Sequence, residues 1–378
     1  MNSRRTRLRS ALAVILTVLV LVPTAVLFGR VWSDNSDRHA NTELEQQGVE
    51  YITALSPLVS ALVEQQSSAL QGVTDPPKSL DPAVARVTAV DSRLGDSLKT
   101  KPRWASLQEK IAKLPKVKGT PLVVYQAHVE VTDLVLALYS TIRRNSHLNR
   151  DPDNDLSNLQ QAVAIDMPTT VIRGSRMGDY AAILQAVTGK TRAAIAVQFG
   201  EEVLAVQDSV SSLTDNLQAA VDDTNSPTLS GSLVSTLDSF RRGVESMTRG
   251  ANPGGAPNVA TMAIAQSSLQ TALNSLSGVT LKEMARLLDD RMSSTNYRRG
   301  EAIAMGLLAV LLVLAALIWP ALSRRRDPVP APAAPPGETT RDIVASRSSG
   351  AYGNNQYDQV PNYGEANPTR RERSGALR

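Results

Sequence analysis

The chain has 378 residues, 42% of them hydrophobic and only 4% aromatic, with no cysteine and a formal net charge of +4. Without cysteine it can form no disulfide, thiolate metal site or thiol nucleophile. The basic excess is confined to Arg4, Arg5, Arg7 and Arg9 at one end and Arg324, Arg325 and Arg326 ahead of the tail, so no nucleic-acid partner is expected.

Few aromatics beside abundant Ala, Leu, Val, Ser and Gln favour helices over strands. The first expected element is an uncharged run, Ala11 to Phe28 (ALAVILTVLVLVPTAVLF), close to the ~20 residues that cross a hydrocarbon core. A cleaved signal peptide is the rival reading. However, the run exceeds the usual ~7–15 apolar residues, and Phe28, Arg30 and Trp32 stand where small residues should precede a cleavage site. Leu44, Tyr51, Leu55, Leu58, Leu62 and Leu70 keep helical spacing, so this helix is expected to continue to about Gln71.

Breaks at GVTDPP, KTKP and KVKGTP follow, with Asp81-Pro82 and Thr120-Pro121 each offering a helix cap ahead of a first-turn proline. Pro121 to His147 reads as an amphipathic helix with Val124, Val131, Leu134, Leu138 and Ile142 on one face. After Asp151-Pro152 a helix is expected over Leu156 to Val187, kinked or interrupted at Pro168. Further helices are expected over Thr191 to Val221, Leu229 to Met247, and from about Val259 into a second uncharged run, Ile303 to Leu322 (IAMGLLAVLLVLAALIWPAL). Beyond Arg326 the Pro/Ala-rich and then Gly/Asn/Ser/Arg-rich sequence is too poor in aliphatic clusters to fold. No HAMP-like linker, kinase or cyclase sequence follows the second run.

The expected architecture is all-α. A basic N-terminus (1–10), a transmembrane helix (11–29), an extracytoplasmic region of about eight helices (30–301), a second span (302–322) and a disordered tail (323–378) follow in order. The eight helices suit two four-helix bundles stacked end to end. Arginines before the first run and after the second place both termini in the cytoplasm of a plasma or inner membrane, with Trp32 and Trp319 suited to the interfaces.

Several short motifs bear on chemistry. Gly189-Lys190-Thr191 resembles the end of a phosphate loop, but Leu184 stands where an earlier glycine is needed, so a helix start is the better reading. Asp151, Asp153 and Asp155 alternate like the opening of a calcium loop, yet Leu156 and Ala162 replace its glycine and closing carboxylate. A helix cap or a partial cation site remains. His39, His128 and His147 form no catalytic spacing, so neither an enzyme nor a cofactor is expected. Arg143 and Arg144 end one helix, and Arg173 and Arg176 lie at i, i+3 on the next. Guanidinium forks of this kind suit a small planar anion, and a solvated face is the alternative.

Residues 146–162, SHLNRDPDNDLSNLQQA, resemble the S-N-L-I-L-D-P-[DE]-L-D-S-Y-Y-L-M-D-A stretch of helical extracytoplasmic sensor regions in bacterial histidine kinases and cyclases. Ser146, Leu148, Asp151, Pro152, Asp153, Asp155, Leu159 and Ala162 carry the likeness, whereas His147, Ser157, Asn158 and Gln161 depart from it. The wider layout is similar to nitrate/nitrite-sensing NIT-type domains, in which arginines are implied to bind the anion. Their Q-x-E-R-G-like segment is here Glu64-Gln65-Gln66-Ser67-Ser68, without the arginine. The resemblance implies a receptor-like or accessory sensory membrane protein without catalytic output of its own, paired as a homodimer in the lipid bilayer and working through a separate cytoplasmic protein. The alternative is an envelope scaffold that recruits partners through its tail.

Overall fold

The computed structural model describes residues 2–73, 75–149, 151–224, 226–252 and 256–323, with side chains given except at 2–14, 16, 17, 20, 227–230, 232, 316, 317 and 319–323. The N-terminal arginine side chains, Trp319 and the tail with Arg324, Arg325 and Arg326 lie outside the described part. Residues Met1–Leu317 form one unit by contact and Ile318–Arg378 a second.

Among the described residues the protein is all-α, in nine α-helices. They are α1 (Asn2–Leu70), α2 (Leu80–Leu94), α3 (Lys101–Lys113), α4 (Pro121–Asn145), α5 (Asn154–Gln161), α6 (Met167–Ala186), α7 (Gly189–Asp223), α8 (Pro227–Ala251) and α9 (Val259–Ser323). Thr120, with extended φ/ψ, caps α4 ahead of Pro121 as its sequence predicts. The start of α2 differs from expectation: Ser79 is the cap and Asp81 falls inside the first turn.

Proline explains the interruption between α5 and α6. Pro168 has no N–H to give, and its ring crowds the carbonyl four residues back. The chain answers with a π-turn over Ala162–Asp166, where the N–H of Met167 reaches back to Ala162 O. Asp166, at the end of that turn, accepts from Asn216 (2.6 Å) and Ser212 (3.1 Å) of α7, which ties the irregular segment to its neighbour.

Hydrogen bonds fix the helix directions. Tyr51 to Asp91 and Ser97 to Gln47 make α1 and α2 antiparallel. Gln46–Asp289, Ser60–Asn274 and Gln266–Ser67 make α1 and α9 antiparallel along one unbroken register. The register extends to Phe28, whose ring lies 3.2 Å from where a Cβ on Gly306 would stand. At 1.5 Å per residue, α1 and α9 stay together for about 60 Å.

Apolar residues fill two levels of this array. The larger cluster includes Leu55, Leu58, Leu138, Leu159, Leu217, Phe240 and Leu276, drawn from α1, α4, α5, α7, α8 and α9. The second joins Tyr125, Met177, Leu184, Phe199, Met247 and Met262, on the side of the bundle where Ser67 meets Gln266 and away from Phe28 and Gly306. Helices α4, α6, α7, α8 and α9 contribute to both.

By length and composition one helix among the described residues, α4, could cross a membrane. Its apolar face, with Val131, Val135, Leu138 and Ile142, is instead buried in the larger core. The apolar runs of α1 and α9 behave oppositely: Leu19, Val26, Leu307 and Leu311 are each more than 60% exposed.

Candidate functional site

Where the chain turns from α4 into α5, the residues of the sequence motif meet α1 and α9. Ser146 is buried and donates to Ile142 O (2.7 Å), and His147 takes a left-handed φ of 62° that sends Leu148 inward. Both pack on Gly48 of α1, where an added Cβ would lie 2.3 Å from Ser146 Oγ and 2.9 Å from Leu148 Cδ1. Only glycine admits this approach.

Three residues on, the Asp151 carboxylate, fully buried, receives both arms of the Arg291 guanidinium from α9, at 2.9 and 2.7 Å. Its other donors are Gln160 Nε2 (3.1 Å) and the Asp153 backbone N–H (2.9 Å), the latter closing a turn that leaves Asp153 as the cap of α5. Arg291 also donates to Asp153 (2.6 Å) and to Glu45 of α1 (3.2 Å). One guanidinium thus joins α1, α9 and the α4–α5 turn. Burial, then the neighbouring Asp151 charge, push the Glu45 carboxyl up to about 8, so at neutral pH it is held protonated beside Asp151. The Asp-rich segment is satisfied by a guanidinium, and among the described residues no group of His, Cys, Asp or Glu is arranged to hold a metal ion. Pro152 separates the two acceptors, Asp155 accepts from the Leu156 N–H (2.7 Å), and Leu159 lies in the core.

The four arginines singled out for an anion do not converge. Arg143 donates to Gln161 (3.0 Å), and Arg144 is exposed. Arg176 donates to Thr132 (2.8 Å) and Asp133 (2.6 Å), eleven residues before Arg144 on α4, or about 16 Å along its axis. Arg173 and Arg176 also share the field of Glu202 of α7, whose carboxyl burial pushes up while both arginines pull it down. The Nε atoms of Arg143 and Arg176 are buried without partners.

A second polar centre lies at the far end of the bundle and was not read from the sequence. Asp179 of α6 is buried and accepts from Gln66 Nε2 (2.6 Å), Ser67 Oγ (3.3 Å) and Ser175 Oγ (3.4 Å). Gln266 of α9 donates to both serines, at 3.2 and 3.3 Å. Burial raises the Asp179 carboxyl to about 7 against the pull of these donors. The available signal was Gln65-Gln66 breaking an otherwise leucine-lined face of α1.

The remaining motifs are structural. Gly189, at φ 63°, opens α7 behind the cap Thr188. His128 is buried in α4, and desolvation lowers its pKa to about 4, which keeps it neutral. Comparison with protein-family models, curated proteins and solved structures returns no match to this chain.

Proposed function

We propose that the protein is a receptor-like or accessory sensory membrane protein. Its two apolar runs, 11–29 and 302–322, cross the bilayer with both ends in the cytoplasm, and the helical domain stands outside. The observation that carries this reading is the α1–α9 pair: two helices run without a break from exposed apolar stretches through the whole domain. Apolar side chains exposed on paired helices need a lipid environment. Trp32 stacks on Phe28 at 6.2 Å and lies under the Arg299 guanidinium at 5.5 Å, a composition suited to the outer interface. A shift in packing outside then moves both spans, because nothing interrupts the helices between. The signal passes to a separate cytoplasmic protein.

Because the chain lacks cysteine, single cysteines report topology cleanly. Thr6→Cys and Ser348→Cys should react with an impermeant maleimide only after the membrane is opened, and Asn258→Cys should react in intact cells. Labelling of Ser348→Cys from outside would overturn the topology.

A further inference from the structure

We infer that the cleft beside Asp179, at the membrane-distal end of the bundle, is a binding site for a small primary amine in its ammonium form. The inference deepens the receptor reading by naming a ligand class, and rests on it only for what binding does to the spans.

The cleft holds about 770 Å³ between the end of α1, α6 and the start of α9. Asp179, Ser67, Gln185, Asn258 and Gln266 line it, with Ala182 on its wall. Its one ionisable lining group is Asp179, which makes no ion pair among the described residues. The charged or titratable groups that face Asp179 are Arg176 on its own helix, already committed to Asp133 and Thr132, and Tyr125 of α4. Helix α1 offers it an amide and a hydroxyl, and Gln266 of α9 supports the two serines that face it.

The network is short of donors. Gln66 gives its N–H to Asp179, and its own amide oxygen is buried without a partner. A buried carboxylate held only by neutral groups is costly to keep charged. An ammonium group supplies what is missing, three N–H donors and the counter-charge, whereas a quaternary ammonium supplies charge without donors. Gly178 keeps the place open, since a Cβ there would lie 2.4 Å from Gln266 Oε1.

Binding replaces the proton on Asp179, so affinity should rise as pH rises toward 7 and level off above, by up to tenfold per pH unit.

The test is thermal melting of the full chain in lipid nanodiscs with ethylamine, putrescine, tetramethylammonium or potassium. Ethylamine or putrescine should raise the melting temperature, by about 5 °C at a hundredfold excess over Kd. Potassium and tetramethylammonium should not. Asp179→Asn should abolish the rise, and Ala182→Leu, which narrows the cleft and leaves the carboxylate, should weaken it. No amine-specific rise in the wild-type chain, or a rise retained with the same pH profile in Asp179→Asn, would overturn the site. Disulfide formation in Asn35→Cys/Thr295→Cys, a pair that touches across α1 and α9, reads transmission separately. An amine-dependent rise in melting with an unchanged cross-linking rate would uphold the site and count against the receptor reading.

Discussion

Asp151 and Asp179 are both buried carboxylates, and the protein treats them differently. Asp151, where the α4–α5 turn meets the α1–α9 pair, is met by both arms of Arg291 and by two further N–H donors. Asp179, near the far end, is met by one amide and two hydroxyls and, among the described residues, by no ion-pair partner. The first arrangement is complete and closes three segments onto one another. The second is balanced only if the carboxyl keeps its proton or something brings a counter-charge. A completed ion cluster acts as a structural lock, and an incomplete one beside a cleft is where a ligand can change the energy of the fold.

The largest expected effect follows from removing the lock. Arg291→Ala leaves Asp151 buried without its cation, and breaking a buried pair from one side typically costs about 3–5 kcal/mol. Thermal or denaturant unfolding of the full chain should show a loss of that order, with Arg291→Lys recovering part of it because the bidentate geometry is gone. A loss under about 1 kcal/mol would mean that the cluster is solvated and that the contrast with Asp179 is not real.

Proton linkage comes next. Glu45 and Asp179 have pKa values raised to about 8 and about 7 in the folded protein, so over the range above their unfolded values the folded state binds the extra protons. Stability is therefore full at low pH, falls as pH rises, and flattens above the folded pKa values. Asp166 and Glu202, also raised by burial, act in the same direction, whereas His128, lowered to about 4, opposes them below about pH 6.5. Each carboxyl contributes about 1.4 kcal/mol per pH unit between its unfolded and folded pKa values, so melting curves between pH 5 and 9 should show a fall of several kcal/mol. Asp179 is mostly spent by pH 7, so Glu45→Gln should flatten the part between pH 7 and 8, and either Glu45→Gln or Asp179→Asn should reduce the slope below it. Stability that rises from pH 5 to 8 would contradict both assignments.

Glycine substitutions compare how rigid the two places are. At Gly48 a methyl group meets Ser146 Oγ at 2.3 Å and Leu148 Cδ1 at 2.9 Å, and Ser146 is itself fixed to Ile142 O. Gly48→Ala should cost about 2 kcal/mol, as overpacking does in a tight interior. At Gly178 the obstacle is the tip of Gln266, a flexible side chain that can turn into the cleft. Gly178→Ala should cost less than about 1 kcal/mol, yet it should lower amine-dependent stabilisation. Equal costs at the two sites would erase the distinction between lock and cleft.

Periodicity and punctuation made the fold legible. Pro121 behind Thr120 marked a helix start, and Pro168 marked an interruption that the chain resolves as a π-turn. The motif around Asp151 was also visible, because its Ser, Leu, Asp and Pro fall within the seven residues 146–152. Its partners were not: Glu45 and Arg291 look like ordinary surface charges of α1 and α9 until the α4–α5 turn is placed between them. Asp179 was missed for the same reason. Its donors come from α1 and α6, with Gln266 of α9 behind the two serines, and only Gln66, polar on an apolar face, left a trace in the sequence. For the arginines the sequence showed paired forks on two successive helices but not their register, and α4 holds Arg143 and the partners of Arg176 three turns apart.

The smallest expected effect is the response to anions. Were Arg143, Arg144, Arg173 and Arg176 to form an anion clamp, nitrate, nitrite or small carboxylates would stabilise the protein by about 2.7 kcal/mol at a hundredfold excess over Kd. Arg176 instead spends its guanidinium on Asp133, Thr132 and the Val129 carbonyl, and Glu202 lies in the field of Arg173 and Arg176. An anion would have to displace Asp133 and come to rest near Glu202, giving up two favourable charge contacts for one. The melting temperature should therefore stay flat in these anions beyond the effect of equal ionic strength, in the wild type and in Arg173→Ala alike. Arg144→Ala, on an exposed residue, should shift stability by less than about 0.5 kcal/mol. A saturable, nitrate-specific rise that Arg173→Ala removes would move the ligand site from the cleft at Asp179 to the interface of α4, α6 and α7, and would reverse the roles assigned to the two halves of α6.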